Sequence, residues 1–542
     1  MQSTFHGLET ARRAINAQQT AIQTTGHNIA NANTPGYSRQ RVNFSQTEAF
    51  PSPGFNKPNI PGQIGTGVKA GEVERVREAF LDVQYRAENN KHGYWDNRHS
   101  ALEKIEDIMN EPTEDGLAQT MDRFWESLQD LNANPEDSGA RSVVRQRGVA
   151  LAETFNYTYN SLESIQKDYK SEIGVETDRM NSLLNQINDI NKQVARIEPH
   201  GDLTNDLYDK RDMLVDELSQ YVNISVEQVG SGGLSKETAD GKYTIKLADE
   251  SGNDTGVTLV NGRDLEANQF RVSYDEDTGL VDNIYVASAK ALENSEDVSD
   301  LEGKSGVVSF NSLEDFNSYG KFRASMEAYG YMDGEEEAGL FPEMMQALDQ
   351  MVHTFISGEG GFNETHSNGW SLYEIENGEH EGFDFFDFAS GDDPITEDNI
   401  KGAAQRLKVS DDILGDLDKI AAASEVDGEA FSGDGSNALN LANVKDADLD
   451  FNGTTTNVQS YYQGVIGDMA VSTNEANRMA RNTDQLRESV EDRRQSVSGV
   501  SLDEEMSNLI QFQHAYNAAA RNLTVMDEML DRIINGMGVV GR

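Results

Sequence analysis

From Leu502 onward the sequence repeats every seven residues: Leu502, Leu509, Tyr516, Leu523, Leu530 and Met537, with Phe512, Ala519, Met526 and Ile533 filling the place three residues later. That spacing commits the segment to a helix presenting one stripe to another helix, the seam of a coiled coil. Leu502 to Asn535 predict a rod of about 50 Å at 1.5 Å per residue, and Gly536 and Gly538 suit its end.

The opposite end of the chain carries a weaker version. Leu8, Ile15, Ile22 and Ile29 recur every seven positions, but Ala11, Gln18 and Thr25 occupy the companion places, where a stable seam would hold large hydrophobes. The spacing predicts a helix from Thr4 to about Ala30, unstable alone, because such helices gain most of their stability from packing. It is expected to pair with the C-terminal helix. Charge favours the approach: Arg12, Arg13, Arg39 and Arg41 against Glu9 leave residues 1–45 positive, whereas Asp503, Glu504, Glu505, Asp527, Glu528 and Asp531 outweigh Arg521, Arg532 and Arg542.

The sequence Asn33-Thr34-Pro35-Gly36-Tyr37 stops the first helix. Proline pushes Thr34 toward extended geometry, and Pro35 and Gly36 suit the two central positions of a type II turn. Tyr37 is a candidate packing anchor, and Arg39 and Arg41 are candidates for contacts with acidic neighbours, against ordinary surface charge.

Between the ends the organisation changes three times. Residues 1–34 form the N-terminal axial helix and 35–221 a helical stem, with an extended, proline-rich excursion over 38–70. Within the stem Met180, Leu183, Ile187, Ile190, Val194 and Ile197 step by threes and fours, while Asn134-Pro135 and Pro199-His200-Gly201 punctuate it. At Val222 the period falls to two, in "VNISVEQV", "YTIKL", "FRVSY" and "IYVAS", which predicts antiparallel strands. Residues 222–401 are expected to form a β-rich, then mixed and acidic, outer module; 402–501 a returning helical stem; and 502–542 the C-terminal axial helix. The fold class is α+β, elongated and multidomain, with long terminal coiled-coil-like helices and a β-rich insertion in a helical stem.

Composition removes several kinds of chemistry. The 542 residues include 45 Lys and Arg against 94 Asp and Glu, a net charge of −49, so nucleic acid and anionic membrane are poor partners. The absence of cysteine excludes disulfides, thiolate metal sites and cysteine nucleophiles. No secretory signal or membrane-spanning apolar run is present, which predicts a cytoplasmic chain unless another route exports it.

Catalytic and ligand-binding signals are equally thin. His380-Glu381 opens like a zinc-protease helix, but Asp384 stands where the second histidine belongs. Ser164-Ile165-Gln166-Lys167 has a nucleophile's spacing without its partner motifs, and reads as helix surface. "GQIGTG" at 62–67 lacks the spacing and lysine of a phosphate loop, and no calcium-loop spacing occurs. No catalytic, cofactor or metal residue is assigned.

The N-terminal "NIANANTPGYSRQRV" and the C-terminal "SGVSLDEEMSNLIQFQHAYNAAARNLTVMDEMLDRIINGMG" resemble the bacterial flagellar axial proteins, the rod, hook and hook-associated subunits. Ser38-Arg39-Gln40 and the lead from Ser498 to Glu505 are most similar to the hook-associated junction subunits. Interior blocks at 111–144, 205–226 and 493–506 agree. The likeness thins across 230–310 and 374–400; Asn363, His366 and Gly369 match a family block, but Trp370-Ser371 departs from its usual continuation.

The resemblance implies a non-catalytic adaptor that self-assembles through its terminal helices at the hook–filament junction, outside the cell. Its implied partners are a ring of its own protomers, the hook protein, a second junction protein and an export chaperone. It further implies type III export in an extended state, and terminal helices that are mobile in the free monomer and ordered in the ring. The assembly residues are then Leu8, Ile15, Ile22, Ile29, Leu502, Leu509, Phe512, Tyr516, Leu523, Met526, Leu530 and Ile533, with the turn Asn33 to Tyr37. The rival reading is a secreted acidic enzyme or cation-binding protein whose outer module carries the activity.

Overall fold

The computed structural model describes residues 4–50, 63–109, 116–293, 304, 306–390, 394–396, 399–426 and 429–536. Helix α1 (Thr4–Asn31) is followed by the hairpin β1 (Gln40–Gln46) and β2 (Val68–Arg75), whose register shifts between Val42 and Phe44. Gly71 lies opposite that bulge, where a Cβ would come within 2.8 Å of the Asn43 carbonyl oxygen. The proline-rich stretch 51–62 and Met537 lie outside the described residues.

Four helices make the stem: α2 (Ala79–Met109), α3 (Leu117–Ala133), α4 (Ser138–Ile197) and α5 (Asn205–Tyr221). The 60 residues of α4 make a spine of about 90 Å. Asp137 caps its start by accepting the Gly139 amide, and Gly201, at φ +90°, turns the chain just beyond its end. Met180, Leu183, Ile187, Ile190 and Val194 are buried on one face, as their stepping predicts, while the terminal Ile197 is exposed.

Strands β3 (Ile224–Val229), β4 (Lys242–Ala248), β5 (Asp254–Asn261), β6 (Glu266–Tyr274) and β7 (Val281–Ser288) form an antiparallel meander. Strands β8 (Val307–Phe310), β9 (Tyr331–Asp333) and β10 (Glu336–Ala338) extend it to eight, with β8 antiparallel and β9 parallel to β7.

Asparagines dock the spine against this sheet. Asn181 binds both backbone groups of Phe270, at 2.9 and 2.7 Å, and Asn191 both of Tyr243, at 2.8 and 3.0 Å. A side-chain amide offers the same donor and acceptor as a peptide group, so each asparagine acts as one residue of an extra strand. Asn188 donates to the Leu265 carbonyl in the same row.

Two sequence expectations fail beyond the sheet. The boundary at 401–402 is not structural, because the hairpin pairing Phe386–Phe388 with Leu407–Val409 brings the two sides together. The span 402–501, expected as a helical stem, becomes one long helix only at Val458, the return helix Val458–Ser498; before it come short helices and hairpins. The reason is an aromatic cluster. Phe385 and Phe386 from the acidic stretch insert among Phe124, Trp125, Phe355 and Phe362, which folds this segment back onto α3 and the first half of α4. Arg141, 1% exposed, joins the two by donating to the carbonyls of Pro135, Leu417 and Ile420.

The return helix runs antiparallel to α2, from the Tyr462 hydroxyl on the Met109 carbonyl at one end to Arg494 beside Asp82 at the other. It leads into the C-terminal helix Leu502–Gly536. Among the described residues no helix is long and apolar enough to cross a membrane.

Candidate assembly site

The two chain ends lie antiparallel. Met526 sits over Gly7, where a Cβ would come within 2.9 Å of its terminal methyl, and Asn28 donates to Glu505 at 3.0 Å near the other end. Between these points Ala11, Ala21, Thr25 and Asn28 are buried, whereas Leu8, Ile15, Ile22 and Ile29 are only half-buried. The deepest line on α1 therefore runs through the companion places Ala11 and Thr25 and through Ala21 and Asn28, beside the large-residue stripe. Helices approach more closely over glycine and alanine than over leucine, so the small residues take the centre and the large ones flank it.

On the C-terminal helix Leu509, Phe512, Tyr516, Leu523, Met526 and Leu530 are half-buried, and Glu505 and Ala519 are the buried positions. Phe512 meets Phe44 of β1 edge to face, with ring centroids 6.1 Å apart. Leu502 and Ile533, expected in the seam, are 49% and 43% exposed; with Met506, Ile510, Val525 and Met529 they leave apolar surface open to solvent. Seven-residue spacing marks a stripe, but this helix carries more apolar residues than one partner covers.

The turn after α1 closes as its residues require. Gly36 has φ +76° and the Tyr37 amide donates to the Thr34 carbonyl; Asn33, Thr34, Pro35 and Gly36 are exposed. Tyr37 reaches back to the helix, its hydroxyl 2.8 Å from Asn28 Oδ1 and 3.0 Å from His27 Nδ1. Asn28 also accepts the Gln40 amide and donates to the Gln40 carbonyl, so with Tyr37 and Glu505 its amide makes all four hydrogen bonds it can. Arg39 grips Glu504 and Glu505, at 2.9 and 2.8 Å, in the first turn of the C-terminal helix, where carboxylates also suit the helix dipole. Its acidic neighbours are thus in its own chain; Arg41 likewise pairs with Glu74.

Beneath this joint lies a buried ion cluster. Asp212 of α5 takes Arg75 at 2.9 Å, and Arg77 and Arg86 each at 3.3 Å, plus the Tyr243 hydroxyl at 3.0 Å. Arg75 also holds Asp209 and Asp240; Asp216 joins Arg86 to Arg494 of the return helix, each at 2.7 Å; and Asp209 accepts the Ser38 amide. Burial opposes ionisation of Asp212, but the charges of Arg77, Arg75, Arg86 and Arg211 outweigh it and hold the carboxyl far below its ordinary range. Removing one member of such a buried set leaves an uncompensated charge, which typically costs about 3–5 kcal/mol. The cluster thereby ties β2, α2, α5 and the return helix at the point where both chain ends leave the stem. None of these ionic residues stands out in the sequence; the available signal was Asp209, Asp212 and Asp216 on one face of a helix, with Arg75 and Arg77 far upstream.

The other candidates are structural. Glu374, its carboxyl lowered to about 2, is opposed by burial but accepts from Gly382, His380 and Ser371, so the His380-Glu381 segment wraps a buried carboxylate. His366 donates from Nδ1 to the Phe383 carbonyl and accepts the Ala421 amide at Nε2, Asn363 binds both backbone groups of Phe386, and a Cβ at Gly369 would strike Asn437 at 2.0 Å. Ser164 and Lys167 lie on exposed helix surface, and Gly67 packs against Thr10 of α1. Among the described residues no group of three or more His, Asp or Glu is placed to hold a metal.

Comparison with known proteins gives a consistent result. The pattern described as "Flagellar hook-associated protein FlgK helical domain" matches residues 102–386, that of "Flagellar basal body rod FlgEFG protein C-terminal" 493–536, and that of "Flagella basal body rod protein" 8–37. The chain is 44% identical to flagellar hook-associated protein 1 of Bacillus subtilis, with both chains covered in full. It is 26% identical to the Escherichia coli protein of that name, over 97% of this chain and 99% of that one. The solved flagellar hook junction protein FlgK of Burkholderia pseudomallei shares its fold, with a TM-score of 0.58 at 14% identity, covering 77% of this chain and all of that one.

Proposed function

Because the chain belongs to the family of flagellar hook-associated protein 1, we propose that it is a structural adaptor of the bacterial flagellum, joining hook to filament by self-assembly through its terminal helices. The observation that carries this reading is the apolar face of the C-terminal helix, left open after α1 and the β1–β2 hairpin have packed against it. Fully burying one such side chain is worth about 1.5–3 kcal/mol, so a row of them supplies association energy once further helices arrive. The division of labour follows: residues 1–34 and 502–542 assemble, the ion cluster holds them in register on the stem, and the outer portions decorate the ring. Partners on this reading are further copies of the chain, the hook protein below, a second junction protein above, and an export chaperone that covers the ends beforehand.

The test is a pair of deletions, of residues 1–30 and of 508–542, introduced into cells lacking the intact protein. The middle is expected to keep its circular dichroism spectrum and melting cooperativity, while the truncated chains fail to join the hook and filament subunits escape into the medium. Normal incorporation of either truncation would remove the basis of the proposal.

A further inference from the structure

Beside the stem, α2, the β9 region and the return helix enclose a cleft of about 360 Å³ that the assembly reading does not use. Tyr94, Trp95 and Tyr331 bring aromatic rings to its lining, together with Arg98, Glu343 and Glu475. Tyr94 and Trp95 meet edge to face with centroids 5.2 Å apart.

The charges in this cleft are unequally satisfied. Glu327, also on the lining, accepts from the Tyr94 hydroxyl at 2.6 Å, Arg98 at 3.1 Å and Arg323 at 2.8 Å, so these arginines are already engaged. Glu343 receives the Gly339 amide at 3.3 Å and, among the described residues, pairs with no lysine or arginine. Glu475 has a loose pair with Arg478, 3.8 Å away across one helical turn, and its side chain stays 59% exposed. Two carboxylates with spare acceptor capacity thus stand beside aromatic rings.

We propose that this cleft receives a guanidinium or ammonium side chain from a partner protein. Aromatic rings attract organic cations, and with Arg98 already held by Glu327 the unpaired charge in this concave site is that of carboxylates, whose field acts on whatever enters. An anion would meet both carboxylates, and an uncharged ligand would leave them without their counter-charge. The walls come from the stem, the outer module and the return helix together, so a bound side chain bridges all three segments.

The test uses the full chain carrying 5-fluorotryptophan, which has three tryptophans and therefore three fluorine resonances, with Trp95 assigned through Trp95→Phe. N-acetyl-arginine amide is titrated against N-acetyl-citrulline amide, which has nearly the same shape and no charge. The Trp95 resonance is expected to move with the arginine compound, with an affinity at least about tenfold higher than for citrulline and falling by a similar factor in Glu343→Gln/Glu475→Gln. Both substituted residues are exposed, and the Trp125 and Trp370 resonances report whether the variant stays folded. A Trp95 resonance that never moves, that citrulline moves equally, or that responds undiminished in the folded double variant overturns the proposal.

Discussion

The spine helix α4 and the C-terminal helix carry apolar residues at nearly the same spacing and fare differently. On α4, Leu183 and Ile187 are completely buried, because α5 and the sheet close over the helix. On the C-terminal helix Leu509 and Leu523 are half-buried and Ile510 is 51% exposed, because among the described residues α1 is its main partner, joined by Phe44 of the hairpin and by Arg39. Periodicity specifies that a helix will pack on one face; it does not specify how many partners will come. A monomer completes the first helix; on the proposed function, other molecules finish the second.

The largest effect that would break this comparison is a matched truncation. Leu183→Ala is expected to lower global stability by about 3–5 kcal/mol, and Leu523→Ala in the monomer by less than about 1 kcal/mol, measured by urea denaturation. Equal losses would show the terminal pair to be as complete a core as the spine. Next, Asp212→Ala should cost about 3–5 kcal/mol by leaving its arginines buried without a counter-charge. The loss of melting temperature should accompany loosened amide protection in the return helix near Arg494, and an unchanged exchange pattern there would separate the cluster from the joint.

Acid sharpens the comparison within the outer segment. Burial lowers the buried His366 to about 4, so its contribution to stability is complete above its unfolded value near 6.5 and is lost as pH falls toward 4. Burial raises Asp349 to about 7 against the pull of the Ala404 and Gly402 amides, so its contribution is complete below about 3.8 and lost as pH rises through 7. The two oppose each other between pH 4 and 6.5, each by about 3 kcal/mol. Asp349→Asn should therefore make the stability of residues 340–423 fall steeply with acid, and His366→Gln should reverse the slope; parallel urea curves for both variants would contradict the assignment.

The smallest effects lie between the terminal helices. Asn28→Ala should cost about 1–3 kcal/mol, read as faster amide exchange in α1 with α4 unaltered, because four hydrogen bonds disappear together. Gln18 keeps its side-chain oxygen buried without a protein partner among the described residues, so Gln18→Leu should slow exchange in α1 by the equivalent of about 1 kcal/mol. No change with Gln18→Leu would mean that solvent already satisfies that amide.

Much of the axial architecture was readable beforehand. The long terminal helices, the turn at Pro35-Gly36, the breaks at Pro135 and Pro199 and the start of the strands near Val222 each follow from local residue types. The misreadings occurred where distant segments compete for one surface. "FDFFDF" at 383–388 falls in the span expected to be a mixed, acidic outer module, yet Phe385 and Phe386 are buried against α3. In α1 the spacing marks Ile22 and Ile29, while Ala21 and Asn28 lie deepest, since a column one residue away points about 100° around the helix.

By itself the sequence determined the kind and rough extent of the elements at both ends, the redirecting turn and the family likeness, because dihedral preferences and apolar spacing are properties of a single segment. Only the tertiary structure decided which column of α1 is innermost, that Asn28 and Arg39 find Glu505, and that four arginines gather on the aspartates of α5. Those outcomes depend on the distance between groups hundreds of residues apart, and on burial that strengthens each charge pair only after the surrounding helices have excluded water.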